Sequence, residues 1–303
     1  MTVLTAAIVL AACTGQPKDN PARGEITVAA DESLQPLVEA LCRAYSGVYT
    51  DAKFNRLYKP EQEAIRTLLR DSARIVFATR DLTEQEKTAL SQQAVQTRTQ
   101  HIATDGIALI INKGNTDSLI TMPELNGIFT GEIKRWSQLK GGNQTGPIVL
   151  VFDNSNSSNL NYMLNRFSIK NLNQLKLFSV QSNKQVIEYV RKNPTAVGFI
   201  GVNWISDGDE PLSRELSQDL RVMGVSEKGS PAGIADYYQP FQRNLGLETY
   251  PLRRKIYIIS REMHSGLGGG LMTYIARDVG SLVIEKTGLW PAIPYNREVY
   301  MKK

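Results

Sequence analysis

Short apolar runs separated by segments with helical spacing constrain this chain of 303 residues more than any other feature. Ile26–Ala29, Lys53–Leu57, Arg74–Ala78, Ile107–Ile111, Ile148–Val151, Val197–Ile200, Leu220–Val225 and Lys255–Ile259 read as strands. Several are nearly continuous Val, Ile, Leu and Phe without polar alternation, the pattern of strands covered on both faces. Helices flanking largely parallel sheets supply that cover, so an α/β protein is expected. The length suits two domains or one large one.

The helix starts are legible. Thr83-Glu-Gln-Glu86 and Thr121-Met-Pro-Glu124 fit the capping box, and the second places Pro just inside the helix. Asn183 opens a segment whose Val186, Ile187 and Val190 share one side, and it reads as the cap of that helix. Leu160, Met163, Leu164 and Phe167 form a similar side directly after Phe152-Asp-Asn-Ser-Asn-Ser-Ser-Asn159. That polar stretch is therefore a strand-to-helix turn. It is either a capped turn or half of an anion cradle, because a helix start offers unpaired N–H groups and a positive dipole end.

With 42% hydrophobic and 21% charged residues, the composition is that of an ordinary globular protein. The formal charge of +5 is spread over scattered Lys and Arg, which argues against nucleic acid as a partner. Residues 3–12 form an apolar run of about ten residues, too short to span a bilayer but suited to a signal-peptide core. It leads into Leu10-Ala-Ala-Cys13, which resembles the bacterial lipoprotein signal, although a basic flank before it is missing. The reading is a leader at residues 1–12, acylation at Cys13 and a tether over residues 13–23.

If Cys13 carries lipid, Cys42 has no intramolecular partner. Cys42 shares an apolar helical face with Leu34, Leu37, Val38, Leu41 and Tyr45, which makes it core filling. His101 and His264 lie in no metal-ligand spacing, and the glycines of Gly266-Leu-Gly-Gly-Gly270 lack the spacing and Lys of a phosphate loop. No metal and no cofactor is expected. No nucleophile elbow is present either, Gly224-Val-Ser-Glu-Lys228 missing its second glycine, so an enzyme is not expected.

Four further segments occur in one order: Asp105-Gly-Ile-Ala-Leu-Ile-Ile-Asn112, Leu125-Asn-Gly-Ile-Phe-Thr-Gly-Glu-Ile-Lys-Arg-Trp136, Val190-Arg-Lys-Asn-Pro-Thr-Ala-Val-Gly-Phe-Ile-Gly201 and Val279-Gly-Ser-Leu-Val-Ile-Glu-Lys-Thr-Gly-Leu-Trp-Pro291. Together they resemble the phosphate-binding proteins of bacterial ABC transporters over nearly all of the chain after the tether. The resemblance implies a two-lobed type II periplasmic-binding-protein fold with a ligand cleft between the lobes. Residues 24–108 and 252–303 would form lobe 1, and residues 109–251 lobe 2.

It also implies ligand-binding positions at Ser33, at Thr79 and Arg80, and at Ser157, Ser158 and Asn159, with Glu32, Asp105 and Asn183 as further candidates. Asp31, Glu32 and Asp105 equally suit turn and cap roles. Two departures stand out. The arginine expected shortly before the Ser-Gly-Thr triplet of the family is absent, and a Gly/Ser-rich turn is replaced by Tyr58-Lys-Pro-Glu-Gln-Glu63. Arg80 either supplies the missing charge from the other lobe or forms a salt bridge with Asp81 or a neighbour. Trp136, Trp204 and Trp290 read as packing residues.

The function expected from the resemblance is a lipid-anchored solute-binding protein of the bacterial cell envelope. It would capture a small oxyanion, phosphate above all, for a membrane permease. The alternative is an envelope sensor or assembly protein that keeps the fold with a degenerate or repurposed cleft. The extra carboxylates, the missing arginine and the polar insertion Ser206–Leu216 motivate it.

Overall fold

The computed structural model describes residues 19–173 and 175–295. The leader, Cys13 and the first part of the tether lie outside the described residues. The first half of the chain runs β1 (Gly24–Asp31), α1 (Gln35–Val48), β2 (Ala52–Lys59), α2 (Glu61–Leu69), β3 (Ile75–Ala78), α3 (Glu84–Gln92) and β4 (Arg98–Asn112). Next come β5 (Leu119–Thr121), α4 (Met122–Thr130), β6 (Val149–Phe152), α5 (Ser158–Arg166), β7 (Leu177–Ser179), α6 (Asn183–Lys192) and β8 (Ala196–Gly201). The last part is α7 (Pro211–Ser217), β9 (Leu220–Val222), β10 (Gly224–Ser226), α8 (Gln242–Gly246), β11 (Arg253–Ser260), α9 (Leu267–Ile275), α10 (Asp278–Lys286) and β12 (Trp290–Pro291).

The main sheet has the order β2-β1-β3-β11-β4-β8-β6-β7. Its two wings are parallel, β1 with β2 and β3, and β6 with β7 and β8. The centre is antiparallel, with β11 between β3 and β4 and β8 against β4. One long strand, β4, therefore belongs to both wings. Its residues 98–106 pair with β11, and Ile107–Ile111 pair with β8. The apolar half of β4 is evident in the sequence, whereas Arg98–Asp105 is too polar to announce itself.

Helices cover both wings because each presents one apolar side. Leu37, Val38, Leu41, Cys42 and Tyr45 of α1 are buried, and burial pushes the Cys42 thiol up to about 12, leaving it an inert core group. Both expected capping boxes form, Thr83 with Glu86 and Thr121 with Glu124. Trp136 is buried with its indole N–H on the Thr195 carbonyl at 3.0 Å. Among the described residues no helix is long and apolar enough to cross a membrane.

Two local expectations change. The run Leu220–Val225 is two strands, because the chain changes partner at Met223: β9 joins β4, and β10 pairs with β5. The cap of α6 is Ser182, whose hydroxyl accepts the Gln185 N–H at 3.2 Å, and Asn183 is the first helical residue. The described part of the tether region is tied down. Asp19 accepts the Leu267 N–H at 2.8 Å, and the Tyr45 hydroxyl donates to the Pro21 carbonyl.

Gly198 shows how closely the second wing is packed. A Cβ there would lie 2.7 Å from Val186, 2.8 Å from Val190 and 2.9 Å from Ile110. Gly198→Ala is expected to destabilise by about 1–3 kcal/mol through overpacking, read as a lower urea midpoint at constant slope. An unchanged midpoint would contradict the packing described.

Candidate functional site

The strand ends and helix starts of the two wings meet around one buried guanidinium. Arg254 lies on β11 directly opposite Asp105 of β4, so strand register alone brings the pair together. Arg254 Nε donates to Asp105 Oδ2 at 2.9 Å, and Nη2 lies 2.8 Å from the same oxygen. Nη1 donates to Ser158 Oγ at 2.9 Å, and Nη2 to Ser33 Oγ at 3.0 Å. The two serine hydroxyls are 3.3 Å apart. Ser33 follows β1 and Ser158 opens α5, so this one side chain joins both wings.

Each serine is placed by its local turn. Asp31, the last residue of β1, accepts the Ser33 N–H at 3.3 Å and its hydroxyl at 3.1 Å. The Ser33 carbonyl accepts Asn203 Nδ2 at 3.1 Å and Trp204 Nε1 at 3.0 Å. On the other side Ser157 caps α5, accepting the Asn159 and Leu160 N–H groups at 3.1 and 3.4 Å. Its own hydroxyl donates to Asp153. Asn159 Nδ2 reaches Asn183 Oδ1 at 3.2 Å, while its buried Oδ1 has no partner. The polar stretch after β6 is thus both a capped turn and part of the site.

Acids line this site on several sides. Glu32 accepts the Asn183 N–H at 3.2 Å and its side-chain amide, so a carboxylate from the first wing stands at the start of α6. Burial pushes the Glu32 carboxyl up to about 8, and burial with the nearby charge of Glu61 pushes Asp31 up to about 7. Asp105 and Asp153 are also pushed up by burial. Burial favours neutral Arg254, but the charges of Asp105 and Asp31 hold it protonated.

Thr79 and Arg80 are differently engaged. Thr79 donates its N–H and hydroxyl to Glu61 Oε1 at 2.6 and 2.7 Å. Arg80 makes a fork with Glu86 at 2.8 and 2.9 Å, donates to the Asp81 carbonyl at 2.9 Å and lies 3.6 Å from Glu61. It is a third exposed. The salt-bridge arrangement is the one observed, and the cation joining the wings is Arg254. No clear sign of it stands in the sequence, where Arg254 lies between Arg253 and Lys255. In the strand, Arg254 and Ile256 are buried while Arg253 is half-buried and Lys255 exposed, an alternation that turns Arg254 toward the core.

Among the described residues, Asp19, Glu262 and His264 form the cluster of metal-ligand types. The Asp19 and Glu262 carboxylates accept N–H groups at the start of α9, from Leu267 at 2.8 Å and from Gly268 and Gly269 at 3.1 and 2.6 Å. The positive end of that helix, with Arg74 at 4.0 Å from Glu262, makes the spot unfavourable for a cation.

Two expectations follow from this geometry. Arg254→Met leaves Asp105 buried without its cation and should cost about 3–5 kcal/mol, much of it recovered in Asp105→Leu/Arg254→Met; equal losses in both variants would contradict the pairing. Glu32 and Asp31 bind protons more tightly folded than unfolded, so stability should fall as pH rises from the ordinary carboxylate range through about 7 to 8. The melting temperature is expected to drop between pH 5.5 and 8.5, less steeply in Glu32→Gln.

The chain is 22% identical over 266 residues to the phosphate-binding protein PstS of Staphylococcus aureus, covering 86% of this chain and 76% of that protein. Among solved structures it resembles a Clostridium perfringens protein of the phosphate ABC transporter substrate-binding type, solved with bound phosphate. The TM-score is 0.73 at 21% identity, over 89% of this chain and all of the other. An ABC-type phosphate transport receptor from Vibrio cholerae matches with a TM-score of 0.61 at 20% identity, over 88% of this chain and 99% of the other. These likenesses agree with the two-lobed type II fold expected from the sequence. With residues 15–279 matching the PBP superfamily domain, the chain belongs to that superfamily.

Proposed function

We propose that this chain is an exported solute-binding protein of a bacterial ABC importer, anchored through acylated Cys13, whose cleft takes a small protonated oxyanion such as phosphate. The observation that carries this reading is Arg254, a buried cation hydrogen-bonded to hydroxyls from both wings at 2.9 and 3.0 Å. An anion seated there takes over donors that now serve one another, and it closes the wings by touching both. Ser33, Ser157, Ser158 and Asn159 supply neutral donors, Asp105 holds Arg254 in place, and Thr79 and Asn183 stand at the margin. Arg80 orients Glu61 and Glu86 from outside.

The acids select the ligand's protonation state. A carboxylate about 4 Å from an anion costs roughly 1–4 kcal/mol per unit charge at effective dielectrics between those of water and a protein surface. Neutral Asp31 and Glu32 remove that repulsion, and any of the carboxylates that remains ionised accepts a proton from phosphate but finds none on sulfate.

One observation favours the second reading, a cleft kept for structure in an envelope sensor or assembly protein. Most of the donors already have an internal acceptor: Ser157 and Asn159 use Asp153, Thr79 uses Glu61, and Asn183 uses Glu32. Calorimetric titration of the chain carrying Cys13→Ser separates the two readings. Phosphate binding at least tenfold tighter at pH 6 than at pH 8.5, weakened by Ser158→Ala and silent with sulfate, supports capture. No heat with any oxyanion at either pH, with an unchanged radius of gyration, supports the closed structural cleft.

A further inference from the structure

The first wing has a concave site at the end remote from the buried Arg254 cluster. Asp31 ends β1 and Thr79 follows β3, both at the carboxyl ends of the strands. The other site lies among Pro21, three residues before β1, Tyr45 and Tyr49 at the end of α1, and Arg98 at the start of β4. The eight residues of β1 set the two sites roughly 25 Å apart. The cavity holds about 640 Å³, within the usual range for small-molecule sites.

Its walls are aromatic and its mouth is cationic. The Tyr45 ring lies 4.8 Å from that of Tyr49 and 5.2 Å from that of Tyr274. Arg98 and Arg277 line the mouth, both exposed, and neither forms an ion pair among the described residues. The acid on the floor is already committed: Glu262 is 2% exposed, with both oxygens on N–H groups of α9. His264 is paired with Asp19 at 3.1 Å. Met263 at the rim is 66% exposed, and Val48, beside Tyr49, is 61% exposed.

We propose that this cavity receives the headgroup of an anionic phospholipid and that this end of the protein lies on the membrane. The short sequence distance from Cys13 to Asp19 supports the choice of occupant. Asp19 is six residues from Cys13, and six extended residues span at most ~20 Å. An acyl chain on Cys13 therefore brings this site, and not the cleft, to the lipid surface. The exposed guanidiniums bind the phosphate, that of Arg98 being held, among the described residues, only by the Glu262 carbonyl at 3.5 Å. Tyr49 sits at headgroup depth over the buried Tyr45 ring, and exposed Met263 and Val48 meet the acyl boundary. The inference rests on the anchored reading above.

The test uses the chain carrying Cys13→Ser, which cannot be acylated, and sedimentation with vesicles. Mixed phosphatidylglycerol–phosphatidylcholine vesicles are expected to bind it and pure phosphatidylcholine vesicles to bind it weakly. Arg98→Glu/Arg277→Glu should lower binding to the mixed vesicles on the order of tenfold or more, and free glycerol 3-phosphate should compete. Equal binding to both vesicle types, no effect of the double variant, or binding of glycerol 3-phosphate without binding to vesicles would overturn the proposal. Phosphate titration of the same double variant reads the cleft separately, and the mass of the mature wild-type chain reads acylation, so each failure is distinguishable.

Discussion

A single buried guanidinium organises the centre of this protein. Arg254 is 5% exposed, and isolated in an apolar interior its charge would be prohibitive. Asp105 answers it from the adjacent strand, and hydroxyls from both wings fill its remaining donors. Such a pair contributes little net stability compared with apolar packing, but losing one partner is severe. The arrangement is better understood as a constraint on geometry. Ser33, Ser158 and Asp105 can satisfy Arg254 together only when β1, β4, β11 and α5 hold their observed positions.

The shared strand β4 makes that constraint effective. Its first part pairs with β11 and its second with β8, so the wings are joined by a continuous backbone ladder rather than by a loose linker. The Tyr250 hydroxyl donates to the Ile107 carbonyl at 2.6 Å, and the Ile107 N–H to the Leu252 carbonyl at 2.9 Å, bracing the point where β4 changes partner. Asp105 sits two residues before that point. Motion of one wing against the other must therefore bend the strand beside the ion pair.

Much of this was legible in the sequence where one physical cause dominates. Unbroken apolar runs became covered strands, and reciprocal Thr and Glu pairs became capping boxes. The polar stretch before α5 was placed correctly at a strand-to-helix junction. Legibility failed where a residue's role depends on its opposite neighbour. Arg254 looks like ordinary surface charge until register puts Asp105 across from it, and Arg80 looks like a free cation until Glu86 folds back on it. Asn183 resembles a cap, but Ser182 has that role, and Glu32 arrives from a segment 151 residues away. Met223 ends one pairing and Gly224 begins another, a change that hydrophobicity cannot show.

On the proposed reading, the buried carboxylates around Arg254 act as internal substitutes for an anion. Helix starts favour negative charge, and here Glu32 stands at α6 while Asp153 engages the Ser157 cap of α5. An incoming oxyanion therefore gains only the difference between its own hydrogen bonds and those it displaces. That difference is small while the displaced acids stay charged, since they must be accommodated nearby in a buried space. It grows once they are neutral, because a protonated carboxyl donates to the anion it formerly repelled. Burial has brought Asp31 and Glu32 to about 7 and about 8, where this exchange of roles falls within the ordinary pH range. On the proposed reading, the same groups occupy the anion's place when no ligand is present and give it up more readily once protonated.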